Sequence, residues 1–240
     1  MNKKSLIICI LAAGKGSRMN SSIPKVLHKI NSRPMILDVI KTAKKLNPKK
    51  IIVIVGYKKE MVIDTINDNS IDFIIQKELK GTAHAVQQCE DTLKDLNGNV
   101  LILSGDVPLI KSSTLNNLID SHVSKNSKGS LISAIMNDPF GYGRIIRNKS
   151  SDFLKIVEQK DTNEEQQKIQ EINSGIYIFD INTLFSKINL ISNNNNQNEY
   201  YLTDIFDYMN NEKISITPIK DQKEISGINT IKQLEEINEN

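Results

Sequence analysis

Short apolar runs rich in isoleucine and valine recur along the chain, separated by polar stretches and glycines. Runs of about four to eight such residues with turn residues at their ends predict buried β-strands. The runs predicted as strands are SLIICILAA, KIIVIVGY, IDFIIQ, NVLILSGDVP, SLISAIM, FLKIVEQ, GIYIFD and KISITPI. Between the early strands, MILDVIKTAKKL and GTAHAVQQCEDTLKDL carry apolar residues near helical spacing and predict helices.

This alternation of strand and helix predicts an α/β fold, with a mostly parallel central sheet and helices on both faces. In such sheets ligands bind beyond the carboxyl ends of the strands. The glycine turn at Gly14 and the pair Gly105 and Asp106, which ends VLILSGD, therefore lie along the predicted cleft. The second half is less regular, and its segment SNNNNQN predicts a mobile loop. No linker or repeat of fixed period divides the sequence, so we expect one domain over residues 1–240.

Composition excludes several classes of protein. With 39% hydrophobic and 25% charged residues among 240, the chain is an ordinary globular protein with a sizeable core. The net charge is only +3 and the lysines are spread out, so we expect no nucleic-acid and no membrane partner. The first apolar run leads into a glycine turn and predicts a strand rather than a signal peptide, and no apolar run approaches the roughly 20 residues that span a bilayer. Cys9 and Cys89 are predicted to be reduced core thiols of a cytoplasmic protein.

The turn LAAGKGSRM follows the first strand and is a candidate anion site. A P-loop is excluded because Lys15 is followed by glycine rather than serine or threonine. A dinucleotide-binding fingerprint is excluded because Met19 stands where its third glycine would be, and the second strand ends in Gly56 rather than an acidic residue. Bare backbone N–H groups with Lys15, Arg18 and Lys25 nearby suit phosphate binding. A plain strand-to-helix turn with exposed cations explains the glycines equally well.

A family resemblance extends over the whole chain. The motifs LAAGKGSRM, IPKVLHKI, QKELKGTAHA, LILSGDVP, GYGRI, VEQKDT, EINSGIY, NEYYLTDI and SGIN resemble, in this order, N-acetylglucosamine-1-phosphate uridylyltransferases. The opening motif is shared by many sugar-nucleotide transferases, whereas VLHKI, GTAHA and EYYLTDI are more specific. The chain resembles the pyrophosphorylase domain of the bifunctional bacterial enzymes of this family. This implies a Rossmann-like nucleotide-diphospho-sugar transferase fold and a UDP-N-acetylglucosamine diphosphorylase that joins UTP to N-acetylglucosamine 1-phosphate.

The resemblance also implies an internal division of the domain. We expect a nucleotide-binding part at about 1–110 and a sugar-binding part at about 111–240. The bifunctional family continues into a left-handed β-helix of hexapeptide repeats, and no such repeat occurs in residues 1–240. We therefore expect this chain to show neither acetyltransferase activity nor the trimeric assembly that a β-helix imposes. A natural single-domain protein and a fragment of a longer chain both fit the sequence.

The nucleotide-binding residues are taken from the resemblance, position by position. Arg18 and Lys25 are implied as catalytic cations, because Arg18 offers a planar fork and Lys25 a compact charge to phosphate oxygens. Without the family context they would be exposed cations. The uracil-reading positions correspond to Gln76, Gly81 and Thr82, and His84 is expected to be a packing or capping residue. The other nucleotide contacts implied, mainly through the backbone, are Leu11, Ala12, Ala13, Gly14, Ser104 and Gly105.

The same resemblance implies a magnesium site and a sugar site. Asp106 ends a buried strand and would bind Mg²⁺ together with Asn229 of SGIN, since hard cations prefer oxygen ligands. Without the family resemblance, Asp106 would be interpreted as a capping residue and Asn229 as a turn residue. Gly143, Glu158 and Asn173 correspond to sugar-contacting positions, where a carboxylate and an amide suit hydroxyl and acetamido groups.

The implied reaction needs no nucleophilic side chain, because an oxygen of the sugar phosphate attacks the nucleotide itself. This agrees with a sequence of only three histidines and no catalytic triad motif. Two alternatives stay open: a related transferase with another base or hexose, and a catalytically idle nucleotide-sugar-binding protein. A glycosyltransferase would normally carry an Asp-x-Asp motif at the central strand, but Asp106 is followed by valine and proline.

Overall fold

The computed structural model describes residues 5–238. The strands are β1 Ser5–Ala12, β2 Lys29–Ile30, β3 Arg33–Pro34, β4 Lys50–Val55, β5 Ile71–Ile75, β6 Gly98–Ser104, β7 Gly129–Ile135, β8 Arg144–Arg147, β9 Phe153–Val157, β10 Glu171–Asp180 and β11 Ile214–Ile219. The α-helices are α1 Met35–Lys44, α2 Lys59–Ile66, α3 Thr82–Gln87, α4 Glu90–Leu93, α5 Ser112–Ser124, α6 Glu164–Gln167, α7 Ile181–Lys187 and α8 Ile231–Asn238. Short 3₁₀-helices lie at Ser17–Met19, Lys25–Leu27, Gln159–Asp161, Ile188–Leu190, Leu202–Tyr208 and Gln222–Ile225.

One nine-stranded sheet organises the molecule. Its main path runs β11-β7-β10-β6-β1-β4-β5, and β8 joins it by pairing with β10 and with β9. The pairs β6-β1, β1-β4, β4-β5 and β7-β11 are parallel, whereas β10 is antiparallel to both of its neighbours on the path, β6 and β7. The predicted mostly parallel α/β sheet is therefore confirmed.

The central strands are apolar throughout because both faces of the sheet are covered. Along β1, Ile8 and Ile10 belong to one buried cluster while Ile7 and Cys9 belong to another. The first cluster includes residues of α1, α2 and α5, and the second includes residues of α3, α4 and α7. Helices thus pack on both faces, as predicted. Cys89 lies in the same cluster as Cys9, and both thiols are free and buried.

Several details differ from the sequence prediction, including the two-residue strands β2 and β3, which were not predicted. In place of the single helix predicted over GTAHAVQQCEDTLKDL, the structure has two short helices, α3 and α4. The helix α3 ends before Gln88, and α4 begins after Cys89. The strand predicted as GIYIFD begins earlier, at Glu171, because its first residues pair with β7 and β8. The strand β8 was not predicted, although its first two residues fall within the quoted motif GYGRI.

The asparagine-rich loop has no helix or strand, as predicted, but it is hydrogen-bonded to the rest of the protein. The Asn196 backbone N–H donates to Asp161 Oδ1 at 3.0 Å, and its side-chain amide donates to the carbonyl of Lys160 at 2.7 Å. These bonds hold the loop beside the end of β9. Within residues 5–238, no helix is both long and apolar enough to cross a membrane.

Candidate active site

A cleft of about 890 Å³ opens beyond the carboxyl ends of β1, β5, β6 and β9. This is the position at which open α/β sheets bind ligands. Its wall contains most of the predicted site residues, namely Leu11, Ala12, Ala13, Gly14, Arg18, Lys25, Gln76, Gly81, Thr82, Ser104, Asp106 and Glu158. The sheet therefore gathers residues that are far apart in the chain at one edge.

Two close contacts shape the glycine turn after β1. The Gly105 N–H donates to the carbonyl of Leu11 at 2.9 Å, which joins the ends of β1 and β6. Gly16 has a φ of 68°, and a Cβ there would lie 2.5 Å from Cβ of Lys25. Only glycine allows both this conformation and this contact without strain. The turn thus brings the Lys25 side chain to the mouth of the cleft.

Four predicted catalytic or metal-binding residues meet in a single hydrogen-bonded cluster. The Lys25 ammonium donates to Asp106 Oδ2 and, at 2.5 Å, to Asn229 Oδ1. The Arg18 guanidinium donates to the same Asn229 oxygen at 2.7 Å. The loop that carries Asn229 is fastened to the end of β6, because the Ile228 N–H donates to the carbonyl of Asp106 at 3.1 Å. We name Arg18, Lys25, Asp106 and Asn229 the cationic cluster.

The oxygens of this cluster fit a hard divalent cation. Asp106 Oδ2 and Asn229 Oδ1 converge on one positive charge, the Lys25 ammonium, so both can face a single cation. Across residues 5–238 there is no group of three or more His, Cys, Asp or Glu side chains that could hold a metal ion. Mg²⁺ is commonly held by one or two protein oxygens, with water and substrate phosphates completing its shell. The donor set therefore matches Mg²⁺ better than zinc.

The predicted base-reading residues lie just after β5 and at the start of α3. Gln76 is only 4% exposed, and its amide nitrogen lies 3.1 Å from the carbonyl of Gly81 and 3.0 Å from Nδ1 of His84. When Nδ1 of His84 is unprotonated it accepts, so both N–H groups of Gln76 are used within the protein. His84 is therefore a packing residue that orients Gln76, as expected. The Thr82 hydroxyl oxygen accepts from the Leu202 N–H at 2.9 Å.

Glu158, at the end of β9, is the predicted sugar residue that lines the cleft. Its Oε1 accepts from the Thr203 hydroxyl at 3.0 Å. Burial raises the pKa of Glu158, Thr203 opposes this shift, and the nearby charge of Asp161 adds to it. A carboxylate in this setting accepts hydrogen bonds strongly when ionised, because little water competes for its oxygens.

Gly143 and Asn173 are buried and do not line the cleft directly. The Asn173 N–H donates to the carbonyl of Gly143 at 2.9 Å, and its side-chain amide donates to the Tyr177 hydroxyl at 2.7 Å. A Cβ on Gly143 would lie 3.1 Å from Cγ2 of Ile156 and 3.4 Å from Glu158 Oε2, so Gly143 lies directly against both residues. The three predicted sugar residues thus form one cluster.

Some cleft residues were not assigned from the sequence. They are the lining residues Phe140, Gly141, Gln159, Lys160, Gln197 and Glu199, and Thr203, which is buried behind the lining, contacts Glu158. Several of these residues fall within the quoted motifs GYGRI, VEQKDT and NEYYLTDI. Their place in these motifs is the sequence signal from which they could have been identified. Their positions depend on contacts between distant segments, which residue spacing does not reveal.

Comparisons with known proteins show a family to which the chain is similar. The family profile described as Nucleotidyl transferase matches residues 7–228. The Bifunctional protein GlmU of Streptococcus uberis is 45% identical over 222 residues, which cover 92% of this chain and 48% of that protein. The protein of the same name from Streptococcus pyogenes is 46% identical with the same coverage. The chain thus spans about half the length of the curated relatives it matches.

A solved structure supports the fold. It is a Bacillus anthracis protein, provisionally assigned as a glucose-1-phosphate thymidylyltransferase and crystallised with sucrose. Its TM-score is 0.75 at 20% sequence identity, over 98% of this chain and 94% of the other.

Proposed function

The chain belongs to the nucleotidyl transferase family, and we propose that it transfers a uridylyl group from UTP to N-acetylglucosamine 1-phosphate. The products would be UDP-N-acetylglucosamine and pyrophosphate. The observation that carries the proposal is the cationic cluster, which collects Arg18, Lys25, Asp106 and Asn229 beside the glycine turn. The identity of 45% to the GlmU relatives over nearly all of this chain supports the choice among family activities.

In this reaction an oxygen of the sugar phosphate attacks the α-phosphorus of UTP. The bond from that phosphorus to the bridging oxygen of the β-phosphate breaks, and pyrophosphate leaves with the electron pair. Two anions must approach each other, so neutralisation and alignment supply most of the catalysis. Arg18 can hold two phosphate oxygens with its planar fork, and Lys25 supplies a compact charge to a third.

Asp106 and Asn229 would hold Mg²⁺, as the convergence of their oxygens supports. When bound, the ion would offset the negative charge of the reacting phosphates. The protein's own part is to present these two oxygens at the end of β6 and to keep Arg18 and Lys25 beside them.

Base selection would depend on the carbonyl oxygen of Gln76. Because its amide N–H groups face Gly81 and His84, the oxygen is the group left to meet a base. The imide N–H of uracil can donate to that oxygen, whereas the corresponding ring nitrogen of cytosine is itself an acceptor. Two acceptors facing each other in a closed site are unfavourable, so UTP would be preferred over CTP.

Sugar selection would depend on Glu158, which lines the cleft, and on Asn173, which is joined to it through Gly143. In this proposal, residues of about 1–110 hold the nucleotide and residues of about 111–240 hold the sugar, apart from Asn229. Ionised Glu158 would accept hydrogen bonds from sugar hydroxyls, and a sugar that lacks a matching group would leave buried polar atoms unpaired.

A pyrophosphate-release assay tests the proposal. The purified chain would be given UTP, CTP or dTTP together with N-acetylglucosamine 1-phosphate or glucose 1-phosphate, in the presence of Mg²⁺. We expect the highest kcat/KM for UTP with the N-acetylated sugar. Equal values for dTTP or glucose 1-phosphate would favour a related transferase. Binding without release for every pair would favour an idle nucleotide-sugar-binding protein.

A further inference from the structure

The segment 199–203, within the motif NEYYLTDI, is joined to the base-reading turn by several hydrogen bonds. The Tyr200 N–H donates to the carbonyl of Lys80 at 2.8 Å, and the Ala83 N–H donates to the carbonyl of Tyr200 at 2.8 Å. The Leu202 N–H donates to the Thr82 hydroxyl oxygen at 2.9 Å. These bonds lie on both sides of Gly81, so the segment and the turn form one connected unit.

The same segment reaches the sugar side at its other end. Thr203 is only 3% exposed, and its hydroxyl donates to Glu158 Oε1 at 3.0 Å. It lies in the first turn of the 3₁₀-helix Leu202–Tyr208, whose backbone is fastened to Thr82 through Leu202. The backbone that carries Thr203 is therefore tied to the turn that faces the base.

We propose that Thr203 is a positioning residue, which holds the Glu158 carboxylate in the orientation that accepts a hydroxyl of the sugar phosphate. The inference rests on the proposed function, and it adds a residue that acts on sugar binding through Glu158. A carboxylate at the end of a strand can rotate about its side-chain bonds. One hydrogen bond from a buried, rigid hydroxyl removes much of that freedom before the sugar binds.

The hydrogen bond from Thr203 to Glu158 also affects the ionisation of the Glu158 carboxyl group. Several acidic or titratable groups face Glu158 from other parts of the fold: Asp161 in a 3₁₀-helix, Tyr177 on β10, and Tyr201 and Asp204 beside Thr203. Burial and the charge of Asp161 raise the pKa of Glu158, whereas the Thr203 hydroxyl lowers it. Loss of the hydroxyl would raise the pKa further and leave fewer molecules with an ionised acceptor.

The test compares Thr203→Val, which keeps the shape but removes the hydroxyl, with Thr203→Ser, which keeps the hydroxyl. For Thr203→Val we expect the KM for N-acetylglucosamine 1-phosphate to rise about tenfold or more, as for loss of a hydrogen bond to a charged group. The KM for UTP should change by less than about twofold. Thr203→Ser should restore most of the sugar affinity. The acidic limb of kcat/KM for the sugar phosphate should move to higher pH in Thr203→Val.

A double-mutant cycle shows whether the effect passes through Glu158. On a Glu158→Ala background, which leaves no acceptor for the hydroxyl, Thr203→Val should add little to the loss. Unchanged sugar KM in Thr203→Val, or equal increases for both substrates with a lowered Tm, would overturn the inference. If Thr203→Val does not fold, Thr203→Ala is compared with Thr203→Ser in the same assays. If the wild-type chain releases no pyrophosphate from UTP and this sugar phosphate, the proposed function fails and the inference falls with it.

Discussion

Gly81→Ala should destabilise the protein strongly because two independent costs meet at this position. Gly81 has φ 109° and ψ 178°, a region of backbone conformation that is almost confined to glycine. A Cβ there would lie 2.5 Å from the carbonyl oxygen and 2.7 Å from the nitrogen of Tyr200. These are backbone atoms of the segment that is hydrogen-bonded to the turn, so they cannot move aside like a flexible side chain.

The magnitude follows from the two costs. A non-glycine residue in such a conformation costs about 1–3 kcal/mol, and forcing an extra methyl group into packed structure costs about 1–3 kcal/mol more. We therefore expect the free energy of unfolding to fall by about 4 kcal/mol. For a chain of this size, that loss lowers Tm by roughly 8–16 °C. The KM for UTP should rise as well, because relief of the clash would displace the turn that reads the base.

Two other glycines of the same cleft separate the two costs. Gly141 has φ 88° but nothing within 4 Å of its Cβ position, so Gly141→Ala should show the conformational cost alone. Gly14 has open space at its Cβ position and no positive φ, so Gly14→Ala should leave stability within about 0.5 kcal/mol of the wild type. Urea denaturation and calorimetry measure all three variants. A Gly81→Ala protein within 1 kcal/mol of the wild type, or no more destabilised than Gly141→Ala, would refute the reasoning.

Three further expectations concern charge. Asp106→Asn should lower turnover by about a hundredfold or more while Tm stays near the wild-type value, because a charge beside the reacting phosphates is lost; near-normal turnover would contradict the metal assignment. Arg18→Ala should lower kcat more than it raises the KM for UTP, and a change in KM alone would make Arg18 a ground-state binder. Burial and neighbouring acids raise the pKa of Asp204 to about 7, so its ionisation reduces stability progressively from pH about 4 to about 7, and the loss is complete above that range. Asp204→Asn should therefore be more stable than the wild type at pH about 8, and urea midpoints should converge below pH about 4, where Asp204 is protonated in both states.

Local pattern was enough to predict the strands that form the centre of the sheet. The runs that became β1, β4 and β6 are apolar at successive positions, as strands covered on both faces must be. The break between α3 and α4 was missed because apolar spacing continues through Cys89, which packs in the core near Cys9. The strand β8 was missed because it is short and begins with arginine, whose burial depends on contacts with distant residues.

Some features of the candidate site could likewise be predicted from local sequence, and others could not. The glycine turn and the aspartate after β6 were recognisable, because a ligand cleft lies at the carboxyl ends of parallel strands. The nearness of Asn229 to Asp106 was expected only from the family resemblance, and the hydrogen bond between Asn229 and Lys25, which are 204 positions apart, was not predicted. The bond from Thr203 to Glu158, between residues 45 positions apart, had no signal in either segment alone.

The sequence by itself determined the sheet, its apolar core and the edge at which a cleft would open, since these depend on patterns within single strands and turns. Only the tertiary structure decided which side chains share a hydrogen bond across that cleft. Such contacts join segments whose separation in the chain carries no information about their separation in space. Gly81 illustrates both sources: the motif QKELKGTAHA marks it as a candidate base contact, but Tyr200 from a distant segment makes glycine necessary there.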